Sequence, residues 1–393
     1  MKRGRILVLT PRFPYPVVGG DRLRIFQICR ELSRHHELTL LSLCETKREF
    51  YSWLPQDGVF RRIERVWLPK WRSLLNVFAA LPTRIPLQVA YYQSNAFRKK
   101  IDKLLPFHDL CLAHLIRTGE YVRYASVPKI LEMTDAISMS YQRMREVNVQ
   151  WSLKSWAYRI EADRLSRYER MAIRDFQITS LVSNVDRKFL LKDQECQHVI
   201  VCSNGVDCNI LPFHNRDNSK PVVIFIGNMI SLSNLDACMY FAKNVLPLVR
   251  KEIECVFRVV GRIKPKDASI LEAIDGVEVV PNVQNIAEAA ADARVGLAPI
   301  RFGAGIQNKV LEYMALGLPV VSSPIALEGL DAKVEQHLLI AVTPEEYVKH
   351  LCRLWSDSFL RNQLALAAHA YVLSNHSWSK CLLPLIEKID EML

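Results

Sequence analysis

VGLAPIRFGAGIQNKVLEYMALGLPVVSS, residues 295–323, carries a short apolar run into a glycine-bearing loop, then a helical stretch, then a second apolar run. The first run, Val295 to Ile300, has the length and uniform apolarity of a strand buried on both faces. Gly303 and Gly305 open the loop, and a helix is expected from about Gln307 to Leu316, stopped by Gly317 and Pro319 ahead of the next strand. Strand, crossover helix and strand in that order build a parallel sheet.

The same alternation extends outward in both directions. Toward the C-terminal end the apolar runs are VVIFIG, CVFRVVG, VEVVP, VGLAPI, PVVSS and LLIAV. Toward the N-terminal end they are RILVLT, then ELTLLSL after a helix from about Arg22 to Arg34, then His108 to Ala113, Pro128 to Glu132, Phe176 to Val182 and His198 to Cys202. A chain of 393 residues is long enough for two domains. The segment VCSNGVDCNILPFHNRDNSKP, rich in Asn, Asp, Gly and Pro, suits the connection between them. We therefore expect an α/β protein of two Rossmann-like domains. Residues 1–208 form the first, 209–376 the second, and a terminal helix at about 377–393 packs back on the first. Ligands of open parallel sheets sit beyond the carboxyl ends of the strands, so two facing domains of this kind predict a site in an interdomain cleft.

Charge divides the chain unevenly. Residues 1–200 hold 34 Lys and Arg against 20 Asp and Glu, a net +14, whereas residues 201–393 hold 18 against 21, a net −3, which together give +11. A basic domain attracts nucleic acid, anionic membrane surfaces or phosphorylated substrates. No zinc finger, RNP motif or recognition helix is present, so nucleic acid is not expected as a partner. The ten cysteines are scattered without a Cys-x-x-Cys pair, which suits buried thiols in a reducing compartment. The run Ile6 to Leu9 is too short for the core of a signal peptide, and even Leu74 to Leu81 is too short to span a bilayer, so a cytoplasmic chain is expected. Residues 70–105 mix Trp, Phe and Tyr with Arg and Lys. That composition suits either a surface resting on anionic headgroups or a pair of amphipathic helices covering the core.

The candidate site residues follow the strands. Gly303 and Gly305 lead to free backbone N–H groups at a helix start, which attract phosphate. Lys309 in the first turn opposes the helix dipole unless an anion sits beside it, and Glu312, one turn on, could accept two sugar hydroxyls. The plain alternative is an ordinary junction with a surface salt bridge. Gly19 and Gly20 follow the first strand as a loop able to wrap a diphosphate or sugar hydroxyls, or as a simple turn, with Asp21 capping the helix and Arg22 or Arg24 nearby. His114, Glu132 and Asp135 stand at strand ends, where they face a ligand or serve only structure. The helix AYRIEADRLSRYERMAIRDF, residues 157–176, interleaves opposite charges at spacings that support a solvated helix.

Taken together, FPYPVVGGDRLRIFQICREL, HDLCLAHLIRTGEY, LEMTDAIS, SLVSNVD, SNGVD, IGNMISLSNLDACMYFAKNVLPLV, VVGR and GAGIQNKVLEYMALGLPVVSS resemble retaining glycosyltransferases of family 4, which have the GT-B fold, and among them the sugar transferases of exopolysaccharide gene clusters. The resemblance implies that Glu312 binds the ribose of a nucleotide-sugar donor, as the second Glu of a Glu-x7-Glu motif whose first position is Ala304 here. It implies that Gly19 and Gly20 form the N-terminal glycine loop and that His114 faces the transferred sugar. The family's usual Arg and Lys pair is missing from GNMISLSN, which leaves Arg262, Arg301 and Lys309 to neutralise the leaving diphosphate, with Gly303 and Gly305 as backbone donors and Ile306 beside them. Asp21, Arg22, Glu132 and Asp135 fall on the acceptor side. No protein nucleophile, no metal and no cofactor beyond the donor is expected. The implied activity is transfer of a sugar to a polysaccharide or lipid-linked acceptor at the cytosolic face of a membrane. A catalytically silent partner of a true transferase, or a nucleotide-sugar epimerase, are the alternatives.

Overall fold

The computed structural model describes residues 3–147, 153–192, 194–217, 219–283 and 285–393, so residue 218 of the connecting segment lies outside the described residues. The chain divides into two compact units, Met1–Ser203 with Leu382–Leu393, and Asn204–Cys381.

The first unit is built on seven parallel strands. They are β1 (Arg5–Thr10), β2 (Glu37–Cys44), β3 (Arg62–Trp67), β4 (Leu110–His114), β5 (Lys129–Thr134), β6 (Ile178–Leu181) and β7 (Val199–Val201), arranged β3-β2-β1-β4-β5-β6-β7. The central strands β1 and β4 are buried almost throughout, as their unbroken apolar runs require when helices cover both faces. Strand β3 escapes the apolar-run reading because RIERVW is an edge strand, paired on one side by β2 and half-exposed on its faces. In the same unit His36 Nε2 lies 2.7 Å from an Asp390 oxygen, which fastens the C-terminal segment to the first turn after the Gly20–Leu32 helix.

The helix Leu153–Arg174 corrects an expectation. Its alternating charges do not make it a freely solvated helix, because Glu161, Leu165, Tyr168 and Glu169 are buried. Glu169 accepts the Ser138 amide and hydroxyl protons. Burial pushes its carboxyl up to about 8, against the opposing pull of those hydrogen bonds.

The second unit repeats the plan with β8 (Val222–Ile226), β9 (Val256–Gly261), β10 (Val277–Pro281), β11 (Val295–Ala298), β12 (Val320–Ser322) and β13 (Leu339–Ile340), all parallel and ordered β10-β9-β8-β11-β12-β13. In both sheets the order reverses next to the first strand, between β1 and β4 and between β8 and β11. These two switch points are where open α/β sheets leave a crevice for ligand. In the second unit the helix Asn308–Ala315 is bolted to this spot: the Tyr313 hydroxyl accepts the Ile226 amide proton at 2.7 Å and donates to Leu297 O at 3.2 Å, and so touches both flanking strands. The ends of β8 and β9 also approach closely. A Cβ on Gly261, whose φ is +127°, would lie 2.1 Å from Gly227 O, so only glycine fits there.

Candidate active site

In the second unit three segments converge on Lys309. The Leu232–Tyr240 helix supplies Asn234, whose Oδ1 accepts from Lys309 Nζ at 3.0 Å, and Gln307 Oε1 accepts at 3.1 Å from the loop side. The ammonium group also sits 5.1 Å from the centre of the Phe225 ring. Asn234 is itself held by a 3.0 Å bond from its amide to Asn228 O, just beyond β8. Lys309 is thus 7% exposed with neutral oxygens for partners. Burial drives its pKa down to about 8, only partly offset by the nearby Glu312 carboxylate.

Glu312 is half-buried one turn further along, and its carboxyl makes no hydrogen bond or ion pair among the described residues. Burial raises its pKa and Lys309 opposes the rise. The Asn308–Ala315 helix begins at Gln307 without a side-chain cap. Its approach loop turns through Gly305 at φ +70° and buries Ile306. Gly303 is not a packing necessity, since an added Cβ would meet nothing closer than Gln307 Nε2 at 3.6 Å. Arg262, which follows β9 and accepts the Met229 amide proton at its carbonyl, has a side chain in no ion pair among the described residues.

Arg301 is placed differently from the other cations. Its guanidinium grips Asp236 through two bonds of 2.8 and 2.5 Å and stacks 4.9 Å from the centre of the Tyr240 ring. Its charge is already met inside the fold. Asn234 and Asp236 therefore divide the cations between them, and neither was singled out for this in the sequence.

In the first unit the residues gather at the β1/β4 switch point. Gly19, at φ +101°, is the N-cap of the Gly20–Leu32 helix and has no side chain to cap it. Asp21 stands inside the first turn instead of capping it, 3.5 Å from Arg12. Burial works to raise its pKa, but Arg12, His114 and Arg117 outweigh that and hold it low. Arg22 points into a 2.6 Å ion pair with Glu49.

His114 ends β4 and is 2% exposed. Its Nδ1 lies 2.6 Å from Glu132 Oε2. An ionised carboxylate can only accept, so Nδ1 carries a proton and donates it to Glu132. Glu132 is fully buried, and its other oxygen receives Arg24 Nε at 2.7 Å and the Thr134 amide at 3.1 Å. Burial alone would raise this carboxyl, yet Arg24 and His114 bring it down to about 2. With its oxygens so committed, Glu132 reaches a ligand only through His114. Asp135 follows it, pushed up to about 7 by burial and by Asp186. Leu115 and Thr134, each beside one of these residues, hold left-handed φ values of 66° and 67°, a strain of about 1–3 kcal/mol apiece that clusters at this edge. Arg12 and Arg117 join this cluster without having been expected there, and Arg24, named as the alternative to Arg22, proves to be the one that reaches Glu132. The Arg24–Glu132 pair crosses 108 residues and the Arg117–Gln88 bond 29, and no local pattern announces either.

Two α/β units with parallel sheets of this order are consistent with the GT-B architecture of glycosyltransferases. Residues 220–357 match the family described as Glycosyl transferases group 1. The "Glycosyltransferase 1 domain-containing protein 1" of Xenopus tropicalis is 32% identical over 109 residues, which is 28% of this chain and 32% of that protein. An "Uncharacterized 44.6 kDa protein in cps region" of Klebsiella pneumoniae is 21% identical over 96% of this chain and 97% of its own length. Among solved structures, a sucrose-phosphate synthase from Thermosynechococcus elongatus superposes with a TM-score of 0.76 at 14% identity, covering 99% of both chains. HepE of Anabaena, in complex with UDP and glucose, superposes at 0.71 and 14% identity over 99% of this chain and 100% of that one.

Proposed function

We propose that this chain is a retaining glycosyltransferase, similar to those of family 4, that moves a sugar from a nucleoside-diphosphate sugar to a polysaccharide or lipid-linked acceptor at the cytosolic face of a membrane. The observation that carries the reading is Lys309, a buried cation solvated only by amide oxygens at an uncapped helix start, inside the segment matching the Glycosyl transferases group 1 family. A diphosphate supplies the anion this arrangement lacks. Gly303, Gly305 and Ile306 offer backbone beside it, and Arg262 a further cation. Glu312, with both oxygens unengaged, suits the paired hydroxyls of a ribose. The UDP and UDP-glucose complexes of HepE support a nucleotide-sugar as the ligand class.

As the leaving diphosphate accumulates charge, donors already in place stabilise it without reorganisation. His114, whose Nδ1 is held by Glu132, is assigned to the transferred sugar, with Nε2 left to meet a sugar hydroxyl. The acceptor's proton then passes to the departing phosphate oxygen, so no side chain need act as nucleophile. Gly19, Gly20, Asp21 and Asp135 are assigned to the glycine loop and the acceptor side. Arg22 and Arg301 are weaker members of the site, because Glu49 and Asp236 already take their charge.

Calorimetric titration with UDP-, GDP-, ADP- and TDP-sugars tests the proposal: one of these donors binds, and Glu312→Ala weakens it without loss of fold. Absence of binding across the whole panel would overturn the enzyme reading. Ala304 in place of the motif's first Glu favours a second reading, a silent partner protein. Donor binding with neither transfer nor hydrolysis would favour it.

A further inference from the structure

The Lys70–Ala80 helix is turned with its larger apolar side chains outward. The residues it buries are the small Ser73 and Ala80, whereas Trp71, Leu74, Leu75 and Phe78 are all more than half exposed, and so is Leu81 just beyond. At about 100° per residue the first four share one face, directly opposite Ser73 and Ala80. The following helices behave otherwise: Leu87–Tyr91 buries Val89 and Ala90, and Asn95–Leu104 buries Phe97, Ile101 and Leu104. Only the first of the three leaves its apolar face in water.

Charge indicates what covers it. From Arg65 to Ile101 the sequence holds no Asp or Glu, while Arg and Lys recur through it. Lys70 and Arg72 flank Trp71 at the two margins of the apolar face, and Arg84 lies past its end. Both marginal residues are exposed. An apolar arc edged by long cationic side chains fits the boundary between acyl chains and anionic headgroups, where the stems snorkel and the charges meet lipid phosphate. A protein partner would need an apolar groove edged with carboxylates. A second copy of this helix would bring Lys70 and Arg72 against like charges.

We infer that the Lys70–Ala80 helix docks this protein on an anionic lipid bilayer, with Trp71, Leu74, Leu75 and Phe78 embedded and Lys70 and Arg72 at headgroup level. This rests on the membrane-face part of the function proposed above and gives it a physical surface. No helix of the described chain is long and apolar enough to cross a membrane, so the contact is one of lying on the surface.

Flotation of the full chain with phosphatidylcholine vesicles, with and without phosphatidylglycerol and without any donor sugar, tests the inference. The chain should float with the anionic vesicles and be released by salt. Leu74→Ser with Phe78→Ser should lower partitioning about tenfold or more, in keeping with the apolar area lost. Lys70→Gln with Arg72→Gln should remove only the phosphatidylglycerol-dependent part. Equal flotation of the Ser variant and the parent, failure of the parent to bind anionic vesicles, or a parent dimer that the Ser variant turns into monomer would each overturn it. Donor titration of the same proteins separates the two readings, since it reports on Lys309 and Glu312 whatever the vesicles show.

Discussion

Replacing Lys309 by Met should push stability and donor affinity in opposite directions. In the folded chain the ammonium is buried against amide oxygens, and its pKa falls from 10.5 to about 8. At about 1.4 kcal/mol per pH unit, holding the charged form at neutral pH costs about 3 kcal/mol. Met keeps the length and removes the charge, so Lys309→Met should be more stable than the parent by up to about 3 kcal/mol at pH 7 in urea unfolding. The sign follows from linkage. Between pH 8 and 10.5 the unfolded chain holds the Lys proton more tightly than the folded one, so the parent's stability rises with pH through this window and the advantage of Met fades. Donor affinity should move the other way, by a loss of about 10- to 100-fold, the value of a charge-assisted contact of 1.5–3 kcal/mol. In the parent that affinity should also fall about tenfold from pH 7 to pH 9 as the free site loses its proton, and the Met variant should lack this slope. Urea titration and calorimetry at both pH values decide the matter. A Met variant that is less stable and binds donor with the parental pH slope would show that Lys309 is a structural cation.

Glu169→Gln should flatten the pH dependence of stability. Its carboxyl is raised to about 8, so the stabilisation is fully present below about pH 4.5 and is lost as pH rises through about 8, a decline of up to about 4 kcal/mol that urea melts at pH 5 and 8.5 would register. A parental slope in the Gln variant would place the buried proton elsewhere. Arg24→Met should cost about 3–5 kcal/mol in thermal or urea unfolding, because it leaves the Glu132 carboxylate buried with one cation fewer, and adding Glu132→Gln should restore part of that loss. Simple additivity of the two changes would contradict the pairing. Gly261→Ala should destabilise severely through its contact with Gly227 O, whereas Gly303→Ala should leave the urea midpoint within the error of the parent and weaken the donor. Equal midpoints for the two Ala variants would refute the close approach at Gly261.

Much of the architecture is legible because uniformly apolar strands at regular spacing leave few alternatives to parallel sheets, and β1, β4, β8 and β11 are such strands. Edge strand β3 is hidden for the converse reason: only Val66 is buried, and RIERVW carries no apolar run. The Leu153–Arg174 helix misleads because charge spacing describes one face of a helix and is silent on the other, where Glu161 and Glu169 go under. Asp21 misleads by two positions, since the backbone turns at Gly19 and leaves the carboxylate inside the first turn.

The candidate site shows the same division more sharply. That three cations, Arg262, Arg301 and Lys309, stand near strand ends could be seen in the sequence, but which of them remains available to an anion could not, because it depends on what each one meets across the fold. On the Leu232–Tyr240 helix, Asn234 and Asp236 lie two residues apart and so point to different sides. One presents a neutral oxygen to Lys309, the other a carboxylate to Arg301. A carboxylate partner cancels a cation's field, whereas an amide solvates the cation and leaves the field standing. Exchanging these two side chains, Asn234→Asp with Asp236→Asn, should therefore move the uncompensated charge from Lys309 to Arg301 with no change in composition. We expect the exchange to weaken the donor about as much as Lys309→Met does, while the second unit stays folded. Donor affinity unaltered by the exchange would mean that the diphosphate is held by the glycine loop and Arg262 alone.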